Sequence, residues 1–407
     1  MLQQEAGHTE RELLASFERT SEEWFSLEEF QRLMRSGRQL RIKYGVDVTA
    51  PFLHLGHAVN LWMMRKMQDL GHKVIFLIGD FTTTIGDPTG RNKLRPIIPP
   101  EEIEANAQAF IAQARMVLRF DDQHLLEIRR NSEWYKDMPV QELLRLLSMI
   151  THSRLIVRDM FQLRLKQGLD IHMHELLYPV LQGYDSFALD SDLTIIGSDQ
   201  LFNELMGRFY QEHLGQSPQV VITTKITPGI DGKAKQSKSL GNYIGLGHSP
   251  RDKFGRAMKL PDSLIVTYFE IYTDIPMIDV EEIGQRVEQE PMQCKLRLAY
   301  EIVKRYHGKE VAEQEFFWFQ ETFSARQTPE DIPEMTLERG IQTPLELLKL
   351  FFNGQKSNRE LRRLCEQGGV SRNEEVLRQP EQMLELCDGD VFHVGKRTWF
   401  RVRVSGN

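Results

Sequence analysis

The residues best suited to chemistry in this 407-residue chain fall into four short blocks. His54-Leu55-Gly56-His57 stands where a loop enters a helical pattern. Imidazole nitrogens beside the free amides of a helix N-terminus can receive phosphate charge, and Gly56 lets a nucleotide lie close to the backbone. Taken alone, two histidines at this spacing read first as ordinary surface or core residues. Tyr178, Gln182 and Asp185, spaced by four and three, share one helical face amid Leu177, Val180 and Leu181. Such a face is either an amphipathic surface or the lining of a pocket for a polar ligand. Gly197-Ser198-Asp199-Gln200 ends an apolar run, so Asp199 and Gln200 are expected beyond the carboxyl end of a strand, where open sheets bind ligands. The fourth block, residues 228–242 (PGIDGKAKQSKSLGN), is a basic, glycine-rich loop that by itself means no more than a solvated turn.

The elements that must position these blocks follow from apolar periodicity. Leu40, Ile42, Tyr44 and Val46 alternate as in a strand; Val59, Met63, Met67 and Leu70 recur as in a helix that Gly71 stops; residues 74–78 form a second buried strand. This is a βαβ unit and a candidate nucleotide site. Before it, Ser26 and Glu29 have capping-box spacing and Phe25 and Phe30 that of a hydrophobic staple, predicting a short helix to about Ser36. Residues 99–167 read as a helical insertion interrupted by the strand-like HLLEIRRN. Strands are expected at 192–197 and 219–223, helices from there to about residue 325, and a linker at SARQTPEDIPEMT. The tail alternates around Gly395 after a short helix ending at Gly368-Gly369.

Length predicts two or three domains, and 41% hydrophobic with 27% charged residues is the composition of a globular protein. No apolar run reaches membrane-spanning length, and the N-terminal residues lack the basic and apolar regions of a signal peptide, so no membrane partner and a cytoplasmic setting are expected. Three widely spaced cysteines, Cys294, Cys365 and Cys387, argue against a disulfide framework or a zinc knuckle, and no metal site is expected. A net charge of −7 does not by itself call for nucleic acid, yet residues 344–407 carry eleven Lys/Arg against nine Asp/Glu, and Arg359, Arg362 and Arg363 form a local basic cluster.

Taken in order, HLGH, GDPTG, YPVLQGYDS, GSDQ, KQSKS and SKSLGN resemble the signatures of the class I aminoacyl-tRNA synthetases, and within them the bacterial tyrosyl-tRNA synthetases. SNRELRRLCEQGGV and VGKRTWFRV resemble their S-four RNA-binding domain. The resemblance implies an α/β protein with three parts. These are a Rossmann-like parallel-sheet catalytic domain with a helical insertion (1–227), an α-helical domain opening with the KMSKS-like loop (228–335), and a small α+β RNA-binding domain (340–407). It implies tyrosine activation by ATP with magnesium, transfer to tRNA(Tyr), and a homodimer. It puts the ATP phosphates near Thr49, His54, Gly56 and His57, under Lys235 and Lys238, and the ribose near Asp47, Gly197 and Asp199. The substrate ammonium falls near Asp87, Tyr178 and Gln182, its phenol near Asp185, and its carboxylate near Gln200.

Three positions depart from the family's pattern: Val48 for a proline, Ile196 for the first glycine of its block, and Gln236 for the methionine of the KMSKS loop. Altered loop behaviour is expected at Val48 and Gln236, and a narrowed crevice at Ile196. Two other classes stay open on the sequence: an RNA-binding paralogue that no longer charges tRNA, and an adenylate former that delivers elsewhere.

Overall fold

The structure, a computed structural model, describes residues 11–88, 98–237, 240–324, 332–338, 340–373, 375–395 and 398–405. The chain folds as two compact units, Met1–Glu315 and Phe316–Asn407. Among the described residues no helix is long and apolar enough to cross a membrane.

The first unit is built on six strands: β1 (Ser21–Phe25), β2 (Arg41–Val46), β3 (Lys73–Ile78), β4 (Leu126–Arg130), β5 (Leu193–Gly197) and β6 (Val220–Thr224). Their order is β1-β6-β5-β2-β3-β4; all neighbours pair in parallel except β1 with β6. The interior strands are near-continuous apolar runs because helices cover parallel sheets on both faces. β2 has β3 on one side and β5 on the other, so the chain reverses direction there and opens a crevice at the carboxyl ends of β2 and β5. The predicted βαβ unit is present: the helix Leu55–Asp69 joins β2 to β3, and Gly71 ends it at φ 89°. Ser26 caps Leu27–Arg35 by accepting from Glu29 N, while the Glu29 carboxylate turns to Arg208 at 2.7 Å.

One expectation needs correction. The strand-like stretch placed inside a helical insertion is β4, which pairs with β3 from Val74↔Leu126 to Ile78↔Arg130, so the sheet continues through it and Pro100–Ala114 is a crossover helix. Its strand character is legible in the sequence, but its place in the sheet is not, because its partner β3 lies far back in the chain and an edge strand is half-solvated, with Ile128 41% exposed. The inserted helices come after it, from Ser132 to Lys166. β6 leads through the basic loop into Pro250–Ala257, Ile265–Tyr272, Met277–Arg286, Pro291–His307 and Lys309–Phe319.

The second unit packs Pro344–Phe352 and Asn358–Glu366 against a sheet of Glu375–Val376, Val370–Arg372, Val391–Val394, Thr398–Ser405 and Glu334–Glu338, in that spatial order. Phe392 and Phe400 stack at 5.1 Å in its core. Glu334–Glu338 pairs in parallel with Thr398–Ser405, so the end of the expected linker is structured here. Thr343 and Glu346 form a reciprocal capping box, and Ser357 caps the helix that exposes Arg359, Arg362 and Arg363.

Candidate active site

The HLGH block forms an unusual helix start. His54 is the N-cap of Leu55–Asp69: its Nδ1 accepts from Gly56 N at 3.2 Å, while His57 Nδ1 accepts from His54 N at 3.2 Å. Both Nδ1 atoms are acceptors, which puts the proton of each neutral imidazole on Nε2 and makes Nε2 the donor nitrogen. The rings lie 3.9 Å apart. A Cβ at Gly56 would meet His54 Cε1 at 3.0 Å and Nδ1 at 3.1 Å, so any larger residue there would shift the His54 ring by a few tenths of an ångström.

The segment that follows the basic loop is tied to the histidine block. Leu55 N donates to Ile244 O at 3.0 Å and Leu246 N to Leu53 O at 2.9 Å, and Tyr243 stacks on Phe52 at 5.9 Å. Buried Lys253 holds the next turn, donating to Leu246 O and His248 O at 2.6 Å and lying 2.9 Å from His307 Nε2. Burial pushes its ammonium down to about 8. Burial, with Lys253 beside it, pushes His307 down to about 4, so the imidazole is neutral and accepts. Lys235 pairs with Asp199 at 2.8 Å. Lys238 lies outside the described residues.

At the mouth of the crevice one polar chain runs from β2 to the Met173–Ala188 helix. Asp47 accepts from Thr82 Oγ1 at 2.8 Å and from Tyr178 Oη at 3.0 Å. Thr82 Oγ1 and Asp185 both accept from Asn131 Nδ2, at 3.0 and 3.3 Å, and Trp134 Nε1 donates to Asp185 at 3.0 Å. Burial drives the Asp185 carboxyl up to about 7, opposed by the Lys43 ammonium and by the Tyr135, Asn131 and Trp134 donors. Burial, then Asp47 and Asp87, pushes the Tyr178 phenol well above its ordinary value, so it stays a neutral donor. Gly79 lets this cluster form: a Cβ would meet Asp47 Oδ1 and Thr82 Oγ1 at 2.5 Å.

A second chain links the remaining candidates. Gln200 Nε2 donates to Asp87 at 2.9 Å; Asn203 Nδ2 donates to Gln200 Oε1 at 3.1 Å and to Gln182 Oε1 at 2.9 Å; Gln182 Nε2 donates to Glu204 at 2.9 Å. Two clusters thus share the Tyr178–Gln182–Asp185 face, which is polar lining and not a solvent surface: Asp185 is 3% exposed. Thr49 is half-buried in the turn before His54, and Gly197 closes on Asp199, whose Oδ1 would lie 2.9 Å from an added Cβ.

The three departures have physical settings. Val48 N donates to Thr83 Oγ1 at 3.0 Å, a bond that proline lacks, and Asn106 holds Val48 O at 2.9 Å. Gln236 is buried and donates to Tyr272 Oη at 2.8 Å, so the loop is tethered by a polar bond. Ile196 is buried within β5, 6% exposed. Sequence reasoning did not single out Thr82, Asn131, Trp134, Asn203 or Glu204. For Asn203 and Glu204 a signal existed, since they lie three and four residues after Gln200 on a helix.

The chain matches the family model "tRNA synthetases class I (W and Y)" over residues 35–324. It is 42% identical over 383 residues to a protein of Symbiobacterium thermophilum named tyrosine–tRNA ligase, covering 92% of each chain. Likewise it is 43% identical over 381 residues to one from Bordetella pertussis, covering 92% of this chain and 91% of that one. In fold it is similar to a C-terminally truncated mitochondrial tyrosyl-tRNA synthetase of Aspergillus nidulans, with a TM-score of 0.63 and 23% identity over 76% of this chain and 94% of that one. It is also similar to a tyrosyl-tRNA synthetase from Archaeoglobus fulgidus complexed with L-tyrosine, with a TM-score of 0.57 and 21% identity over 75% and 99%. With more than two thirds of its length matched, the chain belongs to the class I tRNA synthetase family of the tryptophan and tyrosine enzymes.

Proposed function

We infer that this chain is a tyrosine–tRNA ligase. The observation that carries the reading is the 42–43% identity, over 92% of the chain, to curated relatives of that name. The tyrosine carboxylate attacks the α-phosphorus of ATP, a bond to the bridging oxygen breaks and pyrophosphate leaves; a terminal ribose hydroxyl of tRNA(Tyr) then takes the tyrosyl group and releases AMP. No side-chain nucleophile is needed. The protein's task is to align two anions and neutralise charge at the pentavalent phosphorus, where magnesium enters with the ATP phosphates as part of the substrate.

In this reading the Nε2–H groups of His54 and His57 face the phosphates, with Thr49 and Gly56 beside them, and Lys235 and Lys238 lie over the pyrophosphate. Asp47, Gly197 and Asp199 receive the adenosine ribose, so Lys235 exchanges Asp199 for phosphate when ATP arrives. Asp87, Tyr178 and Gln182 hold the ammonium, Gln200 the carboxylate, and Asp185 the phenol. An ammonium requires oxygen acceptors, and a buried phenol requires a partner in an otherwise apolar slot. Residues 228–335 and 340–407 are the tRNA-facing parts; on the small unit Arg359 and Arg363, exposed one helical turn apart, suit an RNA backbone. A second copy covers the exposed apolar side chains of Val140, Leu144, Val157, Leu163, Leu165 and Met173, making a homodimer. A monomeric mass by light scattering contradicts that. Charging tRNA for translation implies a cytoplasmic site of action, which imaging of a tagged chain checks.

Pyrophosphate exchange with each amino acid in turn tests the assignment. Tyrosine alone is expected to support exchange; exchange driven by tryptophan instead removes the tyrosine reading while leaving the family intact.

A further inference from the structure

Below the candidate amino-acid subsite lies an ion pair for which the two-step reaction has no evident use. The side chains of Lys43 on β2 and Glu204 on the Leu201–His213 helix are 1% and 3% exposed, and Lys43 Nζ lies 2.7 Å from Glu204 Oε2 and 2.7 Å from Ser186 Oγ. Removing two charges from water is costly, and apolar residues of similar volume often replace such pairs without loss of stability. Stability alone is therefore a weak reason for the pair.

Its position suggests a stronger one. The two ends of a side-chain amide are nearly the same shape, so only the hydrogen-bond partners decide which way it points. An ionised Glu204 is acceptor-only. Gln182 must therefore turn Nε2 towards it and Oε1 towards Asn203; Asn203 must answer with Nδ2; and Gln200 must offer Oε1 to Asn203, which leaves its Nε2 for Asp87. Gln219 Nε2 donates to the second Glu204 oxygen at 2.9 Å, beside Lys43. Asn203 keeps this direction even though its own Oδ1 is buried with no hydrogen-bond partner among the described residues, so the order is imposed on it from its neighbours.

We propose that Lys43 and Glu204 are positioning residues for the amino-acid substrate. The pair keeps Glu204 acceptor-only, and that fixes the direction of the Gln182–Asn203–Gln200 amides and the polar face they and Asp87 present. The inference rests on the tyrosine subsite proposed above. Neither residue is assigned a contact with the substrate: Glu204 acts through the amides, and Lys43 acts by holding Glu204, its charge also bearing on Asp185.

Glu204→Gln keeps the shape and removes the rule. Its amide nitrogen must face either Gln182 Nε2, which reverses the chain, or Lys43 Nζ and Gln219 Nε2, where donor meets donor. In Lys43→Met/Glu204→Gln the ammonium is gone, the new amide gives its oxygen to Gln182 and its nitrogen to Gln219, and Gln219 turns to accept. The native order returns.

The experiment measures kcat and the separate KM values for tyrosine and ATP in pyrophosphate exchange, at about pH 8.5 and again at about pH 9, the comparison being read where the tyrosine KM of the double variant no longer changes with pH, because loss of the Lys43 charge lets Asp185 hold its proton to higher pH. It uses the full chain as wild type, Glu204→Gln and Lys43→Met/Glu204→Gln, with thermal unfolding of each. Glu204→Gln is expected to raise the tyrosine KM by at least about tenfold while the ATP KM stays within about twofold, and the double variant to return the tyrosine KM to within about threefold of wild type. Equal movement of both KM values, no movement of either, or a double variant no better than the single one overturns the proposal. Should Glu204→Gln fail to fold, the double variant decides by the same tyrosine KM; if that variant also fails to fold, the pair serves folding and the proposal falls. A wild-type chain without tyrosine-dependent exchange overturns the functional reading and this inference with it.

Discussion

Asp185→Asn separates charge from shape at the floor of the crevice. The wild-type carboxyl is 3% exposed, accepts from Trp134 at 3.0 Å and Asn131 at 3.3 Å, and is pushed by burial from 3.8 to about 7. Between those values the native state keeps a proton that the unfolded chain has released, so stability falls as pH rises through the window and the loss is complete above pH 7. The full difference is on the order of 4 kcal/mol, of which roughly 2–3 kcal/mol falls between pH 5 and pH 8. Asparagine does not titrate, but its NH₂ must face Trp134 or Asn131, a fixed cost of about 1–3 kcal/mol. Urea unfolding of both chains at pH 5, 6.5 and 8, followed by tryptophan fluorescence and circular dichroism, reads the difference directly, because other titrating groups cancel. Wild type should lose roughly 2–3 kcal/mol relative to Asp185→Asn across that range. Parallel pH profiles would refute the burial argument. The same substitution should narrow the tyrosine-to-phenylalanine ratio of kcat/KM by about tenfold or more, because a phenol then loses its charged partner.

Four other outcomes follow from the geometry. Gly56→Ala gains up to about 1 kcal/mol of helix propensity and loses about as much when the His54 cap is displaced, so stability should barely move while the exchange rate falls by roughly tenfold or more; an unchanged rate would detach the His54 ring position from catalysis. Lys235→Met removes an exposed pair contributing no more than about 1 kcal/mol, so unfolding should be nearly unaffected, whereas the exchange rate should fall on the order of a hundredfold; equal losses in rate and tyrosine affinity would indicate a general pocket defect. Gln236→Met gives up the Tyr272 bond but also removes a buried oxygen that has no partner among the described residues, so exchange should change less than about fivefold, and a large gain in rate would mean that the tether restrains the loop. A chain ending after Ser324 should keep tyrosine-dependent exchange and lose tRNA charging; loss of exchange in a folded truncation contradicts the modular reading.

What the sequence made legible was local. The helix from Leu55 was readable because its apolar spacing and the Gly71 stop are both encoded within a few turns, and the Asp199–Gln200 position followed from an apolar run with a defined end. Tyr178, Gln182 and Asp185 were readable as one face, but whether that face was lining or surface was not. That depends on Asn131, Trp134 and Glu204, which the topology brings in from elsewhere in the chain. β4 is readable as a strand, but its pairing with β3 is not, because that partner lies far back in the chain. The partner of Gln236 is Tyr272, 36 residues on, and the acceptor of Lys235 is Asp199, 36 residues back; no periodicity records such pairings.

The most direct test of the central claim is transfer of labelled tyrosine to total tRNA by the full chain with ATP and magnesium. The account predicts acid-precipitable tyrosine on a single tRNA acceptor, saturating with that acceptor and absent when tyrosine is replaced by phenylalanine or tryptophan. Binding of tRNA without any charging, or release of tyrosyl adenylate that no tRNA captures, would contradict it.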